Sequence, residues 1–186
     1  MRPRTPPAAL LLAAAFVSLF GCARAQEERA RAAIEEEFAD TVATLVAEND
    51  ALVRELVGLV EEHEELDARH TPMKREALGS DLPFTDEERA TLQKHRDWYE
   101  PHRVALHDSQ HTGFQYRKSR DAFADARTGD HPGMAADQVR AAYEEHVEEL
   151  RAFQQEMLVC KERMEEAREQ MFTTFAEHEQ IMARYE

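Results

Sequence analysis

From Tyr143 onward the chain places Leu150, Met157, Met164, Met171, His178 and Tyr185 at intervals of seven residues. Val139, His146, Phe153, Cys160, Ala167, Thr174 and Ile181 fill a second line at the same interval. A seven-residue period lays both lines along one face of an α-helix, whereas a strand needs a period of two. The same rule governs an earlier stretch. Phe38, Leu45, Leu52, Leu59 and Leu66 form one line, and Val42, Asn49, Leu56 and His63 follow it four residues behind, widened by Val46, Val53 and Val60. Spacing of this kind suits left-handed supercoiled packing, with Asn49 at a position where a buried amide fixes register.

Helix breakers are confined to a few places. After the first 22 residues Pro occurs only at 72, 83, 101 and 132, and Gly only at 58, 79, 113, 129 and 133. They cluster at 70–84 and 127–135 and divide the chain into three segments. The reading is therefore all-α: an elongated antiparallel up-down-up bundle of three long helices with coiled-coil-like heptads, at about 26–69, 86–126 and 136–185. The first would be about 66 Å long and the last about 75 Å. Thr85-Asp86-Glu87-Glu88 has the spacing of a capping box, which starts the middle helix near Asp86. The middle seam (Leu92, His95, Trp98, Tyr99, His102, Leu106, Tyr116, Phe123) is less regular, and Pro101 is expected to kink or restart it, with a further weak point at Gly113.

The N-terminus separates by composition. Two arginines precede an uncharged apolar run, Ala8 to Phe20, which is too short to span a bilayer and suits the core of a signal peptide. Leu19-Phe20-Gly21-Cys22 then resembles the lipobox of bacterial lipoproteins, with Phe20 bulkier than is usual there. The resemblance implies a signal peptide at 1–21 and a mature helical domain at 22–186. It also implies a lipid on Cys22 as the membrane partner and a place in the bacterial cell envelope. Ala23 after the Cys resembles lipoproteins sent on to the outer membrane, facing the periplasm. The alternative is cleavage at the A-x-A site Ala23-Arg24-Ala25, which would release a secreted or periplasmic protein.

The chain carries a formal net charge of −15, and removing residues 1–21 takes away Arg2 and Arg4 and no acid, which lowers it to −17. A rod this acidic is a poor partner for nucleic acid, and none is expected. Its charge favours solubility, cationic partners or divalent metal, and salt adaptation would produce the same composition. With Cys22 acylated, Cys160 is the one remaining thiol, which excludes a disulfide framework; a small filler at a helix seam is the simpler reading.

Catalytic patterns are missing. There is no G-x-S-x-G, no Gly-rich phosphate loop and no His-Glu-x-x-His, so no enzyme activity is expected. Asp67-x-x-His70 and Asp108-x-x-His111 are read as surface pairs. Five histidines (His63, His95, His102, His146, His178) fall on the seam lines. In the up-down-up arrangement His63, His95 and His178 reach similar depths below the distal end, where three imidazoles would hold Zn²⁺ or titrate as a pH switch. His107 and His111 have chelating i,i+4 spacing but read as solvated. Met157, Cys160, Met164 and Met171 line a seam with the soft sulfur that Cu(I) prefers, although core filling is the simpler account.

Phe84-Thr85-Asp86-Glu87-Glu88, followed by Leu92-Gln93, faintly resembles the LTxxQ motif of small helical periplasmic stress chaperones and metal sensors, with Phe84 at the motif Leu and Glu88 at its Gln. The leading expectation is a structural or interaction lipoprotein with a protein partner or a homo-oligomer. Its expected contact stripe lies around Met171, Phe172 and Phe175 on the last helix. Periplasmic metal binding or sensing, or a chaperone role, are the alternatives.

Overall fold

The computed structural model describes the backbone of residues 7–79, 81–93, 95–128 and 134–185, with the side chains of 7–22, 74, 75, 77, 78, 95–101 and 126–128 outside the description. It is all-α, with no strand among the described residues. The elements are α1 (Pro7–Gly79), α2 (Asp86–Gln93), α3 (His95–Thr128) and α4 (Ala136–Met182). Among the described residues no helix is long and apolar enough to cross a membrane.

Two boundaries differ from the sequence reading. The first helix does not stop at 69; it runs through Pro72 to Gly79. Pro72 denies the carbonyl four residues back a hydrogen bond, but that carbonyl belongs to Ala68, and both residues are exposed. Water can satisfy the freed group, so the cost falls on no buried atom. The middle segment is described as α2 and α3 on either side of residue 94, which lies outside the described residues, and the expected weak points Pro101 and Gly113 both lie inside α3. The capping box forms as expected. Thr85 N–H donates to Glu88 Oε2 at 2.8 Å, and Glu88 N–H donates to Thr85 Oγ1 at 3.2 Å. The last helix ends at Met182, followed by a turn over 183–185.

α1 and α4 run in the same direction, because their cross-contacts climb together. Glu48 accepts from Gln154, and Glu55 pairs with Lys161 one heptad on; both partners lie 106 residues ahead. A further heptad brings Glu62 to Arg168 at 2.9 Å. α3 runs the other way: His102 meets His63, and Tyr116, further along α3, reaches back to Val46 and Asp50, where Arg120 also bonds Asp50 at 2.7 Å. On α4, Phe123 of α3 packs against Tyr143 and Tyr116 against Phe153, again in descending order.

The core is the seam between these helices. Every α4 residue from Tyr143 to His178 in the first seven-residue line is buried, as are Val139, His146, Cys160, Ala167 and Ile181 of the second. On α1 the buried line is Val42, Asn49 and Leu56, joined by Leu45, Val53 and Leu66. Asn49 is fully buried and its Nδ2 donates to the Leu150 carbonyl at 2.9 Å. A second apolar cluster closes the distal end, where Phe84 and Leu92 meet Ile181. Tyr185 donates to Glu88 at 2.6 Å, and Arg184 pairs with the same carboxylate at 3.1 Å, so the cap of α2 is tied to the end of the chain. These donors hold the Glu88 carboxyl below its usual range, the Tyr185 bond first.

Candidate functional site

A 3.6-residue helix carrying a seven-residue polar series buries its members in successive layers of the seam, about 10.5 Å apart. Two such layers contain paired histidines.

The first layer draws one residue from each long helix. His63 of α1 faces His102 of α3, whose Nε2 contacts His63 Nδ1 and lies 3.2 Å from His63 Nε2. Met171 of α4 completes it, its Sδ 3.0 Å from His63 Nδ1. His102 and Met171 are buried and His63 is half-buried. Burial drives the His102 imidazole down to about 4, with the neighbouring His63 adding to the effect and Asp67 opposing it. Burial lowers His63 as well, against the pull of Asp67 and Glu64. Both shifts favour the neutral form of the rings.

The second layer lies one heptad further out. His70 Nε2 and His178 Nδ1 are 2.9 Å apart, both rings buried, with Phe175 edge-on to His70 at 4.1 Å. His178 Nε2 is 3.2 Å from the Thr91 carbonyl, an obligate acceptor, so that nitrogen carries the proton and Nδ1 accepts from His70 Nε2–H. This bond joins α2 to the α1–α4 pair. His146 stands apart, stacked on Phe123 at 3.6 Å and 3.8 Å from the Glu149 carboxylate.

The expected trio is thus divided. His63 belongs to the first layer and His178 to the second, and the side chain of His95 lies outside the described residues. The reason is the end of α1. Running ten residues past 69, it moves the distal end up by about 15 Å, so that His102 comes level with His63. His70, read as a surface residue beside Asp67, is buried against His178. The signal was present: His70 continues the line Asn49, Leu56, His63 by one further heptad. The stripe expected around Met171, Phe172 and Phe175 is also split. Met171 is buried and Phe175 is half-buried on His70, which leaves Phe172 exposed, with the Arg168 guanidinium 5.5 Å from its ring centre. Cys160 is a buried free thiol. The side chain of Cys22 lies outside the described residues.

The chain matches no protein-family model, no curated protein and no solved structure. Its chemistry rests on its own residues. Among the described residues no three His, Cys, Asp or Glu side chains converge as a group able to hold a metal. His107 and His111 are exposed, with parallel rings 6.1 Å apart.

Proposed function

We propose that this chain is a lipid-anchored protein of the bacterial envelope, tethered through Cys22, whose helices form a stiff spacer that presents its outer face around Phe172 to a protein partner. α1 leads away from the anchor, α2 and α3 together form the returning leg, and α4 leads outward again, which makes the rod an up-down-up bundle of three legs. The observation that carries the reading is the ladder of cross-helix partners at constant offset, Glu48–Gln154, Glu55–Lys161 and Glu62–Arg168. Each pair is exposed or nearly so and individually weak. Repeated at a fixed offset, they favour one register of two parallel helices over its neighbours, as a spacer of defined length requires. Phe172 is an apolar contact on the outer face of this rod.

The test joins anchor and contact. Cells fed labelled palmitate should incorporate it into the native chain and leave it in the membrane fraction, and Cys22→Ser should abolish both. Photo-crosslinking from position 172 in the anchored chain should capture a discrete product. A Cys22→Ser chain that is still labelled and membrane-bound would refute the anchor, and a native chain that yields no crosslinked product would refute the contact.

A further inference from the structure

The first histidine layer has a feature that packing alone leaves unexplained. Three atoms able to offer lone pairs, His102 Nε2, His63 Nδ1 and Met171 Sδ, converge from α3, α1 and α4. The thioether has no proton to give, and a neutral imidazole has one. If His102 Nε2–H points at His63 Nδ1, that nitrogen turns a lone pair toward a sulfur only 3.0 Å away. If His63 Nδ1 carries the proton, it must serve both the sulfur and the His102 nitrogen. Hydrogen on both nitrogens brings the two protons together. No arrangement pairs all three lone-pair atoms without sharing one proton or setting two protons against each other, whereas one cation would take all three.

We infer that His63, His102 and Met171 form a binding site for a soft monovalent metal ion of the Cu(I) class. The donor set decides the class. Zinc sites are built from Cys, His and carboxylate, and no such threesome converges among the described residues. A thioether beside two imidazoles is a set that selects Cu(I), which accepts three ligands. Asp67, one turn beyond His63 on α1, acts electrostatically on both rings and places negative charge beside the ion. Seating the ion requires the two nitrogens now in contact to move apart, by rotation of either ring about its Cβ–Cγ bond. The ion would join three helices at one level. This inference does not depend on the anchor or spacer reading.

The experiment uses the full chain with Cys22→Ser and Cys160→Ala, which removes both thiols as competing soft ligands, purified in detergent under nitrogen and checked for helicity by circular dichroism. Cu(I) is delivered from bicinchoninate. The chain should withdraw one equivalent, and copper X-ray absorption should show sulfur together with nitrogen scatterers. Met171→Leu and His102→Gln should each weaken uptake by at least about tenfold, while His178→Gln in the other layer leaves it unchanged. Absence of uptake, or a bound copper with nitrogen but no sulfur neighbours, overturns the inference. So does a Met171→Leu chain that retains helicity and binds as tightly as its parent. The absorption spectrum needs no variant at this site, so a misfolded substitution does not obscure the result.

Discussion

Asn49 has one half of its amide satisfied. Nδ2 donates to Leu150, while Oδ1 is buried with no hydrogen-bond partner among the described residues. A buried orphan acceptor costs about 1–3 kcal/mol, roughly what the hydrogen bond opposite it contributes or more. Asn49→Leu, of similar volume, is expected to raise the unfolding free energy by about 1 kcal/mol. Asn49→Ala, which leaves a hole, should lower it by a similar amount. Urea unfolding of the three proteins checks the order; a Leu variant weaker than the parent would mean that the bond to Leu150 outweighs the orphan. His146 makes a second residue-scale case. Burial against Phe123 lowers its pKa, with the nearby Glu149 opposing. The unfolded chain therefore binds the proton more readily. The contribution of a neutral, stacked His146 is complete above about pH 6.5 and is lost as pH falls below it. Unfolding curves at pH 7.5 and 5.5 should differ less for His146→Gln than for the parent. An unchanged difference would remove His146 from the acid response.

At the scale of elements, glycine marks where the helices carry avoidable cost. Gly58 lies on an exposed stretch of α1, where an added Cβ meets nothing within 4 Å. Gly113, buried in α3, would bring a Cβ to 4.0 Å from Val53 Cγ2, an ordinary contact. Each Gly→Ala change should stabilise the protein by about 0.5–1 kcal/mol, additively, because helical Gly loses more backbone freedom than Ala. Thermal unfolding of the single and double variants measures it; a destabilised Gly113→Ala would show that the α1–α3 approach tolerates no methyl group. The same element scale shows what was legible in the sequence. The α4 lines from Val139 to Ile181 reappear as burial because a helix packed on two neighbours converts period directly into exposure. The α2 cap was legible because its partners lie three residues apart. Breaker residues were the poorer guide. Pro72 marks a boundary only where its freed carbonyl would be buried, and exposure of Ala68 is a tertiary fact. Misplacing that boundary by ten residues was enough to bring His95 to the level that His102 occupies. The pairing of His63 with His102 depends on the length of an excursion that no local pattern encodes.

For the whole molecule, the ion-pair ladder and the excess of acid pull in opposite directions. Salt screens both. The cross-helix pairs Glu55–Lys161, Glu62–Arg168 and Glu37–Arg140 are largely exposed at the surface of parallel helices, where water and salt leave each of them weak. Against them stand 38 acidic residues and 23 basic ones. Acids at like positions on three adjacent helices lie within a Debye length of one another at low salt, about 30 Å at 0.01 M, so the repulsion sums over many pairs while the attraction is local. The repulsive sum is therefore the larger. Raising NaCl from 0.01 to 0.5 M is expected to raise the melting temperature, with most of the gain below 0.15 M, where the screening length has already fallen to about 8 Å. MgCl₂ at matched ionic strength should reproduce the NaCl curve if screening alone acts. A melting temperature that falls with NaCl would assign the larger energy to the ladder. In that case Lys161→Gln, which removes one rung and adds to the acid excess, should cost more at 0.01 M than at 0.5 M.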